Sequence, residues 1–334
     1  MTNIAVYGFG RIGRQLVRSA VQNDLFFPTV ICDIAPAGAL AALLEVDTNY
    51  GRWEGVASDD DTSISIDGRR ITYVNSIDGV PDWKALGIDL VVDCTGRGVT
   101  REAAERHLTN GAERVLISGP SKTAEDCDAV LLPGINLDDY DSDAHKIISM
   151  ASCTTNALAA VVKVLLDSIG IRFGVFSTVH AYTNTQSLTD QPMTSRRDSW
   201  AGAENIIPSS SGAAKALGFI WPDLKITGKA YRVPVRTGSI VELNVMPERD
   251  ISTDDLREVF RQAAASGPLE GILDVFDEEW TSARIVGDPH SSIVDLPLTQ
   301  VFNGMVSVAA WYDNEAGFSM RLAETAARLA SADH

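Results

Sequence analysis

The chain has 334 residues, 45% hydrophobic and 22% charged, the composition of a soluble globular protein long enough for two domains and a large core. Its 28 Lys and Arg against 45 Asp and Glu leave a net charge of −17, which argues against nonspecific nucleic-acid or anionic-membrane binding, since both need a basic surface. Cys32, Cys94, Cys127 and Cys153 are widely spaced, with no CxxC and no Cys/His ligand pattern, so they read as reduced thiols and not as a disulfide frame or a metal site.

The N-terminus runs into Ile4-Ala5-Val6-Tyr7 without a basic leader, and no apolar run approaches ~20 residues, so a cytoplasmic protein is the expectation. Ile4 to Tyr7 reads as a buried strand, followed at once by Gly8-Phe9-Gly10-Arg11-Ile12-Gly13. Ile12, Leu16, Val17 and Ala20 then form a helical stripe, and Thr29 to Asp33 reads as a second strand. A glycine-rich turn between strand and helix, with an acidic residue 20 positions after Gly13, is the context that dinucleotide binding requires. Gly8 permits the tight turn, Gly10 lets backbone approach a pyrophosphate, and Gly13 lets the helix pack closely. Asp33 accepts from a ribose 2′-OH and repels a 2′-phosphate, which predicts NAD over NADP.

Ser63 to Tyr73 alternates with period two around Asp67-Gly68, an antiparallel hairpin added to the core. Asp59-Asp60-Asp61 before it reads as a solvated turn. Leu90 to Cys94 and Arg114 to Ser118 are strand-like, with a helix from Arg101 to Leu108 between them. This alternation indicates a doubly wound parallel sheet. Thr95-Gly96 and Ser118-Gly119 fall just past strand ends, where such sheets hold ligands.

Ser149 to Asn156 joins an apolar run ending at Ile147-Ile148 to a stripe of Leu158, Val161, Val162, Leu165 and Ile169. Ser, Thr and Asn in front of such a run are helix-start residues, so Cys153 sits at or just before a helix N-terminus, where the free N–H groups favour thiolate over thiol. The position is equally open to a small, inert core cysteine. Phe173 to Tyr182 reads as a strand that delivers His180, a residue able to activate a thiol and move protons. A polar loop, Thr183 to Asn205, carries Arg196 and Arg197. Pro208 to Gly212 opens a helix from Ala213, a backbone arrangement suited to an anion. Arg232 follows in Tyr231-Arg232-Val233-Pro234. Grouped with Ser/Thr/Gly turns in an acidic chain, these arginines point to phosphate binding. Val241 to Val245, Ile285-Val286 and Val306 to Tyr312 read as strands, Thr253 to Ala265 as a helix, and Ala316 onward as a C-terminal helix.

Six segments carry a resemblance that covers nearly the whole chain: Gly8 to Arg14, Ala151 to Asn156, Thr178 to Asn184, Ser211 to Lys215, Arg232 to Pro234, and Trp311 to Glu315. In that order they resemble the phosphorylating, NAD-dependent glyceraldehyde-3-phosphate dehydrogenase family. The resemblance implies an α/β fold: a Rossmann-type doubly wound parallel sheet plus a second α+β catalytic domain with a mixed or antiparallel sheet. It implies an NAD-binding domain at 1–150, joined by a C-terminal helix at 315–334, and a catalytic domain at 151–314. It implies that Cys153 attacks an aldehyde phosphate, that His180 takes the thiol proton and stabilises the oxyanion, and that inorganic phosphate releases the thioester as an acyl phosphate. By motif position Thr183 and Arg232 hold the substrate's phosphate. Ser152, Thr154, Ser211 and Gly212 line the inorganic-phosphate side, with Arg196 or Arg197 nearby. Gly8, Gly10, Arg11, Ile12, Gly13, Asp33, Thr95, Gly96 and Ser118 serve NAD, and Asn314 binds the nicotinamide carboxamide. No metal is implied, and the assembly is a homotetramer with Thr183 to Asn205 at a subunit interface.

Several positions depart from the family pattern: Cys32 for Asn, Tyr50 for His, Ala157 for a second Cys, Thr185 for Asp, Ser211 for Thr, Val235 for Thr and Ala316 for Trp. Pro192 lies where NAD-specific members often carry Pro. A relative acting on erythrose 4-phosphate and an inhibitor-tolerant paralogue are the alternatives within the family. A Cys–His hydrolase and a catalytically inactive binding protein are the alternatives outside it. The hydrolase gives no reason for Asp33 or Asn314.

Overall fold

The computed structural model describes residues 2–58 and 60–331. The chain divides into two compact units, Met1–Ala151 with Ser319–His334, and Ser152–Phe318. Asp59, and the last three residues of the expected C-terminal helix, lie outside the described residues. Among the described residues no helix is long and apolar enough to cross a membrane.

The first unit is built on a nine-stranded sheet. Its strands are β1 (Ile4–Tyr7), β2 (Val30–Asp33), and then β5 (Val56–Ala57), which comes after a separate short ribbon of β3 (Val46–Asp47) and β4 (Gly51–Arg52). The others are β6 (Ser63–Ile66), β7 (Arg69–Asn75), β8 (Leu90–Asp93), β9 (Arg114–Ile117), β10 (Ala129–Val130) and β11 (Ile147–Ser149). The order is β10-β11-β9-β8-β1-β2-β7-β6-β5, parallel from β10 through β7. The predicted hairpin is present, with Asp67 and Gly68 at φ +51° and +75°, the double positive φ of a two-residue hairpin turn. Its second strand joins the main sheet in parallel with β2. The helices α1 (Arg11–Gln22), α2 (Ala37–Glu45), α3 (Trp83–Leu86) and α4 (Arg101–Thr109) connect the strands. Between β1 and β8 the strand order reverses, so the loops after β1, β2 and β8 open a crevice at their C-terminal ends. The C-terminal helix α8 (Ala316–Ser331), from Ser319 on, belongs to this unit. Thr2 donates to the Ala330 carbonyl at 2.7 Å, and Thr325 to Met150 Sδ at 3.1 Å.

The second unit is a mixed eight-stranded sheet with helices on it. Its elements are α5 (Cys153–Ser168), β12 (Ile171–Ala181), β13 (Ile207–Ser210), α6 (Ala213–Ile220), β14 (Ile226–Val233), β15 (Ser239–Pro247), α7 (Thr253–Ala265), β16 (Leu273–Phe276), β17 (Ser292–Asp295), β18 (Gln300–Phe302) and β19 (Met305–Tyr312). The order is β13-β14-β12-β15-β19-β17-β16, with β18 on β19. Helix α5 lies against β12, β15, β17 and β19. Period two along β12 turns Phe176, Thr178 and His180 inward and leaves Phe173, Val175 and Val179 exposed on the other face. Ile285-Val286 is not a strand: Ser282–Ile285 forms a 3₁₀ turn, and Ile285 is buried with Phe276 and Ile293. Two adjacent apolar residues carry no period, so sequence could not separate the two conformations.

Candidate active site

In the first unit the glycine turn is closed by contact. Gly8 sits at φ +91°, and a Cβ there would meet Thr95 N at 2.7 Å. A Cβ at Gly13 would meet the Gly8 carbonyl oxygen at 2.2 Å, so the helix can approach the turn only without one. A Cβ at Gly10 would meet nothing within 4 Å. Its backbone therefore faces open space at the N-terminus of α1, where free N–H groups can take a pyrophosphate. Asp33 ends β2 with its carboxylate anchored: Phe9 N–H donates to one oxygen at 2.6 Å, and Ile34 and Ala35 N–H donate to the other at 2.7 and 3.1 Å.

Gly8, Gly10, Asp33 and Thr95 line one cavity of about 360 Å³, together with Tyr7 and Cys94. This glycine cradle and anchored acid fit an adenine dinucleotide. Arg11 turns its guanidinium onto Asp47, at 2.5 and 3.2 Å, beneath Tyr50. It leaves its place in the first turn of the helix as its contribution to that side. Ile12 occupies the same turn. Gly96 takes φ +69° after Thr95, and Ser118 stands behind the cavity wall, its N–H donated to the Asp93 carbonyl at 3.0 Å. Buried Asp93 accepts from Thr95 N–H and Oγ1, at 2.8 and 2.6 Å, and lies 3.5 Å from His107, whose Nδ1 accepts from Trp83 at 3.1 Å. The loop that closes the cavity is thus pinned from below.

In the second unit Ser152 caps α5 in a reciprocal box with Thr155, so Cys153 is its first residue. Cys153 Sγ lies 3.4 Å from His180 Nε2. Strand register places Arg232 directly beside His180, because β14 runs parallel to β12 with the two residues paired. Arg232 Nη1 reaches His180 Nδ1 at 2.6 Å and the Ala181 carbonyl at 3.2 Å. Burial, then the Arg232 guanidinium, push the His180 pKa down to about 3, so its ring is neutral at pH 7. The Cys153 thiol corrects a sequence expectation. The helix start was expected to favour thiolate, but burial pushes the thiol up, and Arg232, the Thr154 hydroxyl and the first-turn N–H groups offset only part of that.

Thr154 is buried, its hydroxyl on Tyr312 at 2.9 Å, and Tyr312 bonds Thr178 at 2.7 Å. No sequence signal singled out Tyr312 beyond its place in the last motif. Thr183 follows the end of β12, with its N–H 3.0 Å from Gln186 Oε1. Ser211 Oγ accepts from Ala213 N–H at 3.3 Å, and Gly212 is the N-cap residue before α6, where a Cβ would meet nothing within 4 Å. Among the described residues no direct hydrogen bond joins these two to Cys153, His180 or Arg232. Arg196 and Arg197 are exposed and line one cavity of about 320 Å³ with Trp200 and Ile207. Asn314 Oδ1 accepts from Gly238 N–H and Ser239 Oγ at 3.1 Å each and faces Thr237 Oγ1 at 3.4 Å. That leaves its amide N–H₂ available as a donor. Ser239 also accepts from Ala181 N–H at 3.2 Å, linking Asn314 to the strand of His180. Among the described residues no group of three His, Cys, Asp or Glu could hold a metal ion.

Residues 2–101 match the glyceraldehyde 3-phosphate dehydrogenase NAD binding domain, and residues 152–314 match the C-terminal domain of the same enzymes. The chain is 45% identical over 336 residues to the glyceraldehyde-3-phosphate dehydrogenase of Kitasatospora aureofaciens, covering 99% of this chain and 100% of that protein. It is 40% identical to the enzyme of Geobacillus stearothermophilus, covering 98% of each. It is 39% identical to glyceraldehyde-3-phosphate dehydrogenase 1 of Bacillus cereus, covering 99% of each.

Proposed function

Because this chain belongs to the glyceraldehyde-3-phosphate dehydrogenase family, we propose that it oxidises glyceraldehyde 3-phosphate to 1,3-bisphosphoglycerate, using NAD and inorganic phosphate. The observation that carries the reading is the 3.4 Å approach of Cys153 Sγ to a neutral His180, with Arg232 registered beside it. Cys153 sulfur forms a bond to the aldehyde carbon, and His180 Nε2 takes the thiol proton. The oxyanion left on the substrate is stabilised by His180 Nε2–H. Bound NAD supplies the hydride acceptor that an aldehyde oxidation requires. Gly8, Gly10, Asp33 and Thr95 hold its adenosine and pyrophosphate, and the Asn314 amide donates to its carboxamide. Cys153 then carries the acyl group as a thioester, and inorganic phosphate displaces the sulfur to give the acyl phosphate. Arg232 and Thr183 hold the aldehyde's own phosphate. Ser211 and Gly212, the first turn of α5 and Arg196 or Arg197 serve the attacking one.

Residues 1–150 with 315–334 form the NAD domain in this reading, and 151–314 the catalytic domain. Phe173, Val175 and Val179, 53%, 54% and 41% exposed on one sheet face, support a homotetramer that covers them. Sedimentation velocity checks that assembly. The test of function is formation of reduced cofactor from glyceraldehyde 3-phosphate and from erythrose 4-phosphate, each with and without inorganic phosphate. Strong stimulation by phosphate with the triose is expected. Turnover that ignores phosphate, or that prefers the tetrose, overturns the proposal.

A further inference from the structure

Gln186 is 7% exposed although it lies in the polar loop that follows β12. Both ends of its amide are used. Thr183 N–H donates to Gln186 Oε1 at 3.0 Å, and the Thr183 hydroxyl lies 3.4 Å from the same oxygen. A backbone N–H can only donate, so the atom that faces it is the oxygen, and the amide cannot be turned over. Nε2–H then points to Asp198 and donates to its Oδ1 at 3.1 Å, across 12 residues of chain. Asp198 sits inside the 3₁₀ turn Arg197–Ser199, whose N-cap residue is Arg196. Neighbouring bonds close the same loop: Ser187 Oγ donates to the Asp198 carbonyl at 3.1 Å, and Gly202 N–H to the Ser187 carbonyl at 2.8 Å. A Cβ at Gly202 would meet Gln186 Cβ at 2.7 Å, so the returning chain can close over this side chain only without one.

We propose that Gln186 is a positioning residue that fixes the spacing between the two phosphate-binding parts of the site, Thr183 just past β12 and the turn that carries Arg196 and Arg197. The inference rests on the reading of Thr183 as a ligand of the aldehyde's phosphate and of Arg196 or Arg197 as a ligand of the attacking one. Both arginines are exposed, and closing such side chains on an anion costs rotamer freedom as well as the freedom of the loop that bears them. A buried amide that ties the turn to the strand end removes the loop's share of that cost before the anion arrives. Gln186 grips Thr183 with its oxygen and the arginine turn with its nitrogen, so one side chain holds both anion sites in register.

A purely Coulombic role for Asp198 predicts the opposite of this role. Removing an acidic group that adjoins two arginines would then strengthen the binding of an anion. The test is steady-state kinetics of the whole enzyme, with the KM for inorganic phosphate and the KM for glyceraldehyde 3-phosphate measured separately. Asp198→Ala removes the acceptor and leaves Gln186 bonded to Thr183. Its KM for inorganic phosphate should rise about tenfold, a factor that the loss of one hydrogen bond to a charged group can supply, while its KM for the triose stays within about twofold. Asp198→Asn loses the charge but keeps an acceptor for Gln186 Nε2, and its phosphate KM should be no higher than that of the wild type. Gln186→Leu frees both ends and should raise both KM values. A phosphate KM that is unchanged or lower in Asp198→Ala, or equally raised in Asp198→Ala and Asp198→Asn, overturns the proposal, and these two variants decide it even where Gln186→Leu does not fold. If wild-type turnover ignores inorganic phosphate, the functional reading falls by itself. Amide hydrogen exchange over residues 183–200 then decides the link: faster exchange in Asp198→Ala but not in Asp198→Asn supports it, and identical exchange in the two refutes it.

Discussion

Replacing His180 by glutamine isolates the electrostatic consequence of burying an imidazole beside a guanidinium. In the fold, burial and Arg232 lower its pKa to about 3, while a histidine in the unfolded chain titrates near about 6.5. Between those values the unfolded chain binds a proton that the folded chain refuses. Stability from the neutral ring is therefore complete above about pH 6.5 and is lost as pH falls toward about 3. Each pH unit costs about 1.4 kcal/mol, so moving from about pH 6.5 to about pH 5 removes about 2 kcal/mol. Glutamine does not titrate, and the carboxylates common to both proteins cancel in the difference. Urea unfolding of both proteins at the two pH values should therefore show the variant gaining about 2 kcal/mol on the wild type at the lower pH. Parallel profiles would refute the reasoning. They would mean that the folded protein takes up a proton on His180 across that range as readily as the unfolded chain does.

Three further substitutions probe other parts of the structure. Gly13→Ala places a methyl 2.2 Å from the Gly8 carbonyl and should cost about 3 kcal/mol, whereas Gly10→Ala meets nothing and should leave the apo melting temperature within a degree or two while weakening NAD binding. Thermal melts with and without NAD separate the two, and equal apo values would contradict the packing argument. Tyr312→Phe strips Thr154 of its buried partner, while Thr178 keeps the Ile240 carbonyl at 3.1 Å. A loss of about 1–3 kcal/mol in urea unfolding is expected, and an unchanged midpoint would show that the hydroxyl finds another partner. Cys153→Ala should abolish turnover and leave NAD affinity within about threefold by calorimetry, since the thiol adds nothing to the glycine turn or to Asp33. Retained turnover would remove Cys153 as the nucleophile.

Local chemistry was enough to read much of this protein from its residues. Gly8 and Gly13 between a strand and a helix announce a tight strand-to-helix turn because only a missing Cβ permits their contacts. Ser152 before an apolar stripe announces the start of α5, and Asp67-Gly68 announces the hairpin, because caps and turns are short-range. Ile285 was misread because a lone apolar pair has no period. The pairings that make the thiol site lie beyond any local rule. Nothing in the spacing of Cys153 and His180 states that they meet, and nothing in either strand states that Arg232 sits beside His180. The register of β12 against β14 decides that. The protonation state likewise belongs to the tertiary structure. A helix N-terminus by itself favours thiolate, but desolvation of the half-buried Cys153 pushes its thiol up, while burial and Arg232 push His180 down. Residue identities and their short-range order determine which groups are present and which elements carry them. Desolvation and cross-strand neighbours, which exist only once the sheet is assembled, determine their charge.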